Sequence, residues 1–299
     1  MSLVATLTAC ALPAAAQQTA PAPAAVPTPV PEGSVGGMGD INLYPKRVVI
    51  SGRERIATVG LYNKVATAGE YEIAIGDLVM AGSGQLVAPA LADSATLARL
   101  KSAGAMLRWS PRRLVLNGNE AQTVRIMVRT PPDLPAGEYR SHVSVVAVPP
   151  PEIGGNSIED AAGGGQGGRS IGVRIVPRFG IAIPVIVRVG ETTLIAGIRD
   201  LAVATTSDGT RAITLTLTRS GTRSAFGDLV VTAPGTKQPV AQLKGIGIYT
   251  EVDSRPATVP VDPKADPRAL AKGAKLTVTY IDDDFTPGQT LARQEFIVP

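Results

Sequence analysis

Cysteine, histidine and aromatic residues are scarce in this chain of 299 residues, which has one Cys, one His and 4% aromatics. A lone cysteine has no partner for an internal disulfide, and one histidine cannot complete a Cys/His zinc cluster. Charge is also sparse, at 18% of residues, and the net +4 is spread along the chain rather than gathered beside aromatics. That distribution argues against nucleic-acid binding. No Pro-free apolar run reaches about 18 residues, so no transmembrane helix is expected. Glycine and proline are plentiful instead, at 32 and 25. Each proline inside a helix costs about 3 kcal/mol, which excludes a mainly helical chain. Hydrophobic residues make up 44%, enough to build cores, and the length fits about two domains. A soluble, β-rich protein without a metal site or cofactor is expected.

Residues 1–16 (MSLVATLTACALPAAA) are apolar and end in Ala14-Ala15-Ala16. Small residues at that position suit signal-peptidase cleavage, so residues 1–16 read as a signal peptide. The segment lacks the positive charge such peptides carry, which a translation start upstream of Met1 would supply. Leu7-Thr8-Ala9-Cys10 offers a rival route, since it is similar to a bacterial lipobox in which Cys10 would carry lipid. Residues 17–40 are Pro/Ala-rich and then Gly-rich, and read as a disordered arm.

From residue 41 onward apolar residues alternate with period two, the pattern of strands with one buried face. The runs are 41–50, 56–63, 70–78, 107–116, 121–129, 138–148, 170–176 and 181–189. Leucines at helical spacing in residues 90–104 predict a short helix or a covering loop. Residues 149–169 (PPPEIGGNSIEDAAGGGQGGR) suit no sheet and read as a long flexible loop. A second set of runs covers 194–205, 211–219, 228–233, 239–249, 257–261, 275–281 and 291–298. Short strands at this spacing are what an immunoglobulin-like sandwich requires. The expected fold is all-β, with two tandem immunoglobulin-like sandwiches over residues 41–190 and 191–299.

Catalytic constellations are missing. Gly163 to Ser170 nearly spells a phosphate loop, but Arg169 stands where lysine is needed and strand-like residues follow instead of a helix. His142 has only Ser141 and Ser144 nearby in sequence, which makes no dyad. Asp282-Asp283-Asp284 lacks the spaced ligands of a calcium loop. An enzyme or a small-molecule site is not expected.

Several segments in order resemble the PapD-like periplasmic pilus chaperones of the chaperone–usher pathway. They are Leu43-Tyr44-Pro45-Lys46-Arg47-Val48-Val49, Thr58-Val59-Gly60-Leu61-Tyr62-Asn63 and Trp109-Ser110-Pro111-Arg112-Arg113 with Gln122-Thr123-Val124-Arg125-Ile126. Leu134-Pro135-Ala136-Gly137-Glu138-Tyr139-Arg140 and Ile183-Pro184-Val185-Ile186-Val187-Arg188 complete the set. The resemblance covers residues 41–190, with Gly227-Asp228-Leu229 and Gly247-Ile248-Tyr249 as weaker echoes beyond it.

The resemblance implies a periplasmic chaperone, not an enzyme. It would hold pilin-like or other incomplete β-sandwich subunits and deliver them to an outer-membrane usher. Such a chaperone lends an edge strand to the subunit's open groove, main chain to main chain. Ile171, Val173 and Ile175, following the long loop, fit that donor strand. Self-association through the same edge is a corollary. Arg47 matches the arginine that grips the subunit's terminal carboxylate, a role suited to a guanidinium. The family's second anchor, a lysine, falls on Pro184, which cannot hold an anion; Arg178 is the candidate substitute. Arg188 matches the residue that locks the two domains together, while Lys46 is expected to point away into solvent. A structural or adhesive surface protein, anchored through Cys10 with residues 17–40 as stalk, is the competing reading.

Overall fold

The computed structural model describes residues 40–149 and 178–299, together with the short strand Val35–Gly36. The expected signal peptide, Cys10, the glycine-rich run 163–170 and the expected donor residues Ile171, Val173 and Ile175 lie outside the described residues. The first group of strands is β1 (Val35–Gly36), β2 (Ile41–Tyr44), β3 (Val48–Ser51), β4 (Ile56–Asn63), β5 (Gly69–Gly76), β6 (Val79–Met80) and β7 (Leu86–Val87). It continues with β8 (Leu107–Ser110), β9 (Arg113–Leu116), β10 (Ala121–Val128), β11 (Gly137–Val148) and β12 (Gly180–Val189). The second group is β13 (Leu194–Thr205), β14 (Arg211–Gly221), β15 (Ala225–Thr232), β16 (Ala241–Ile248), β17 (Ser254–Pro260), β18 (Lys275–Asp282) and β19 (Thr290–Ile297).

Alternation decides which face each strand buries. β10 turns Val124, Ile126 and Val128 inward, and β18 turns in Leu276, Val278 and Tyr280. The first group forms two five-stranded sheets, β1-β2-β4-β10-β8 and β3-β12-β11-β5-β9, that enclose one core. The second forms sheets β13-β14-β17 and β16-β15-β18-β19 around another. The protein is therefore two β-sandwiches of immunoglobulin type in tandem. The chain crosses between them after β12, where Gly190 takes φ +60°, a conformation that costs glycine little.

Three expectations are corrected. Residues 41–50 are not one strand: β2 and β3 belong to opposite sheets, and the chain changes sheet at Pro45. Residues 107–116 divide in the same way into β8 and β9, at Pro111. Proline has no N–H for a ladder, so a period-two run that contains one is free to leave its sheet there. The third correction is β1, which falls inside the expected arm and pairs Val35 with Leu43 and Gly36 with Asn42. β1 thereby covers an edge that β2 would otherwise leave unpaired, and unpaired strand backbone is a template for one more strand.

Residues 77–106 connect β5 to β8 and reach the other sandwich. Within them the helix α1 (Ser94–Arg99) is only six residues long, and the Asp93 carboxylate caps it by accepting the Thr96 N–H at 2.8 Å. Met80 is 2% exposed and belongs to the core of the second sandwich. Arg99 donates to both carboxylate oxygens of Asp253 there. This strap belongs to the first sandwich in sequence and to both in packing.

Candidate functional site

The site is built on β11 and β12, neighbours in the sheet that meets the second sandwich. One set of their side chains (Tyr139, Val143, Val145, Ile181, Ile183, Val185, Val187) fills the first core. Ile186 instead joins the core of the second sandwich, with Val49 packed against it. Residues of the same parity as Ile186 must share its face. These are Pro184 and Arg188 on β12 and their cross-strand partners on β11, His142 opposite Pro184 and Glu138 opposite Arg188, with Arg140 opposite Ile186. β3 lies parallel to β12 with Val48 beside Val185 and Val49 beside Ile186, and Arg47 immediately precedes β3. Pro184 and His142 thus stand opposite one another on this face.

From the second sandwich, the turn after β18 answers this face. Asp282 is 3% exposed, and its carboxylate accepts backbone N–H groups from Asp284, Phe285 and Thr286. The turn so held carries Asp284 to Arg47 at 3.0 Å, and Arg188 also donates to both Asp284 oxygens. Arg188 Nε reaches Glu138 at 3.1 Å. Burial opposes the Arg188 charge, but Asp284 and Glu138 outweigh it and hold its pKa above the ordinary value. The Arg47 guanidinium stacks on Phe226, 4.0 Å from the ring centroid.

Further along the same face Arg140 donates to both Glu251 oxygens and to the Leu78 carbonyl, and lies over Tyr249. Among the described residues, every ion pair between the sandwiches takes its cation from the first and its anion from the second. His142 is 2% exposed, and neither ring nitrogen has a hydrogen-bond partner among the described residues. Its ring meets Tyr249 edge-on at 6.4 Å. Burial, and then the charge of Arg140, lowers its pKa to about 3, so the imidazole is neutral at neutral pH.

The expected site residues are distributed unequally. Arg47 and Arg188 converge on Asp284. Arg178 is elsewhere: it pairs with Glu72 at 3.2 Å and donates to the Ala147 carbonyl. It precedes Pro184 by six residues on one extended segment, roughly 20 Å of strand, so it does not join Arg47. Lys46 is not simply solvated, since it pairs with Asp283 at 3.2 Å. The three consecutive aspartates point to three different sets of partners, which leaves no shared cation site. Among the described residues no group of three or more His, Cys, Asp or Glu is placed to hold a metal. Sequence reasoning missed Glu138, Asp284, Glu251 and Phe226. The run Asp282-Asp283-Asp284 is the sequence signal of Asp284, and Glu138 lies in the quoted segment 134–140.

No protein-family model matches the chain, and no curated protein matches it. Solved structures do. The YadV chaperone aligns with 14% identity and a TM-score of 0.42, over 87% of this chain and 100% of that one. The CsuC–CsuE chaperone–tip adhesion subunit pre-assembly complex, from archaic chaperone–usher Csu pili of Acinetobacter baumannii, aligns with 11% identity and a TM-score of 0.41, over 87% and 98%. The Salmonella enterica SafA pilin in complex with the SafB chaperone aligns with 16% identity and a TM-score of 0.39, over 88% and 99%. Each of these alignments spans most of this chain, at low sequence identity.

Proposed function

We propose that this protein is a periplasmic, non-enzymatic assembly chaperone. It holds incomplete β-sandwich subunits of the pilin or fimbrial kind by lending them a strand, and delivers them to an outer-membrane usher. The observation that carries this reading is the half-open edge of β12. One side of β12 pairs with β11 along the whole of Gly180–Val189, while the other pairs with β3 only from Val185 to Arg188. Among the described residues, the first half of β12 has no strand on that side. An unpaired edge is what strand addition needs.

Ile171, Val173 and Ile175 precede this open half and share the odd parity of Ile181 and Ile183. Their role in the proposal is to fill the client's groove. Arg47 receives the client's terminal carboxylate. Its Nη2 is engaged by Asp284, while its Nε and Nη1 have no partner among the described residues. Arg188, held between Glu138 and Asp284, locks the two sandwiches at the angle that frames the cleft. Arg178 has no part in the anchor, for the distance given above.

The test is recovery of partners from periplasmic extract, identified by mass spectrometry. The wild-type protein is expected to bring down a small secreted β-protein with an incomplete fold. Replacing Ile171, Val173 and Ile175 together by Thr keeps β propensity but removes apolar surface. Recovery should then fall to background while circular dichroism stays unchanged. Undiminished recovery with the triple variant would refute the donor-strand assignment.

A further inference from the structure

We infer that the outer face of the sheet β1-β2-β4-β10-β8 docks on an anionic phospholipid membrane. It belongs to the sheet opposite the one that holds β12, so membrane docking is a property beyond client holding. Alternation gives this sheet its two faces: β10 sends Val124, Ile126 and Val128 into the core and so turns Arg125 and Met127 outward. Met127 stands between Ile56 on β4 and Arg108 on β8, and Arg125 lies one row further along. Arg129 adds a rung, since its backbone N–H donates to the Met106 carbonyl just before β8. Tyr44 on β2 is outward too, because its partner Gly60 shares the parity of Ile56.

What this face displays and what it lacks fit a bilayer surface. Ile56 and Met127, 56% and 43% exposed, form an apolar pair that the fold leaves in water. No Asp or Glu occurs in any of the five strands. Among the described residues Arg108, Arg125 and Arg129 are in no ion pair with a carboxylate. The opposite sheet is the contrast: there Glu70, Glu72 and Glu138 pair with Arg113, Arg178 and Arg188. The uncompensated charge is therefore positive and complementary to phosphate, which a guanidinium binds bidentately. Aliphatic side chains enter the acyl boundary, a tyrosine ring favours the headgroup level, and arginines extend to the phosphates. A polypeptide occupant would find no main-chain pairing here, because β4 and β10 each have a strand on both sides.

The test is co-sedimentation of the mature protein expected from cleavage after Ala16, which excludes Cys10, with lipid vesicles. Vesicles of equal parts phosphatidylglycerol and phosphatidylcholine are expected to bind it, and phosphatidylcholine alone to leave it in solution. Arg108 is tied to the Ala105 and Leu107 carbonyls, so charge is removed at its neighbours. Arg125→Gln with Arg129→Gln should weaken binding about thirtyfold at low salt. Lys237→Gln with Lys272→Gln removes the same charge from exposed positions of the second sandwich and should leave binding unchanged. Ile56→Ser with Met127→Ser should weaken it at every salt concentration, whereas the arginine pair matters only where screening is slight. Equal weakening by the lysine and arginine pairs would reduce the effect to net charge and overturn the assignment of this face. Failure to sediment with the mixed vesicles would overturn membrane docking, and binding of poly-glutamate in its place would give the face to an acidic polypeptide. Client recovery from extract is measured without vesicles, so the chaperone reading stands or falls separately.

Discussion

His142 has a folded-state pKa of about 3 against an ordinary 6.5. Between those values the unfolded chain binds the proton and the folded chain does not. Its contribution to stability is therefore complete above about pH 6.5 and is lost as pH falls toward 3, by at most about 1.4 kcal/mol per unit. Urea denaturation from pH 7 to pH 4 should show wild type losing stability faster than His142→Phe. Equal slopes would assign the acid sensitivity to the carboxylates. Asp282 illustrates the opposite use of a buried polar group. It is fully engaged by three backbone N–H groups, and that is what aims Asp284 at the cleft. Gly227 supports the same turn, because a Cβ there would lie 1.8 Å from the Ile281 carbonyl oxygen.

Among the elements, the strap of residues 77–106 was the least legible. Leucine spacing predicts a short helix or a covering loop, and the short helix α1 is there, but its leucines do not cover a core, with Leu91 78% exposed and Leu97 37%. The residue that does the covering is Met80, whose sulfur accepts the Tyr249 N–H at 3.5 Å within the second core. Met80→Ala is expected to cost about 2–5 kcal/mol, the range for truncating a buried methionine. The loss should fall on the second sandwich although the residue lies in the first. Scanning calorimetry checks this: one undivided transition, shifted by less than a degree, would remove the strap as a coupling element. β12 is the complementary case, since its extent from Gly180 to Val189 was largely readable from alternation. Its half-open edge was not, because an edge is defined by the absence of a neighbouring strand.

For the whole molecule, the uniform polarity of the ion pairs between the sandwiches makes them a matched pair. The buried and exposed members should behave differently. Arg140 and Glu251 are 4% and 0% exposed, so Glu251→Ala leaves a buried charge uncompensated, at about 3–5 kcal/mol. Arg99 and Asp253 are 43% and 67% exposed, and Arg99→Ala should cost less than about 1 kcal/mol. Salt at 1 M shortens the screening length to about 3 Å and should abolish the second effect while sparing the first. Denaturation of both variants at low and high salt is the check, and equal salt sensitivity would contradict the burial assigned to Arg140 and Glu251.

The sequence by itself determined the all-β class and the two sets of strands. Alternation, turn residues and residue inventory are local properties, and a single chain displays them directly. It also marked Arg47 and Arg188, through resemblance rather than through geometry. Only the tertiary structure decided that residues 41–50 and 107–116 each divide between two sheets. It alone set His142 opposite Pro184, turned Asp284 into the partner of Arg47 and Arg188, and kept Arg178 away from them. These are matters of register and of how one sandwich faces the other. They depend on pairings between residues far apart in the chain, which period-two alternation permits in many combinations and packing reduces to one.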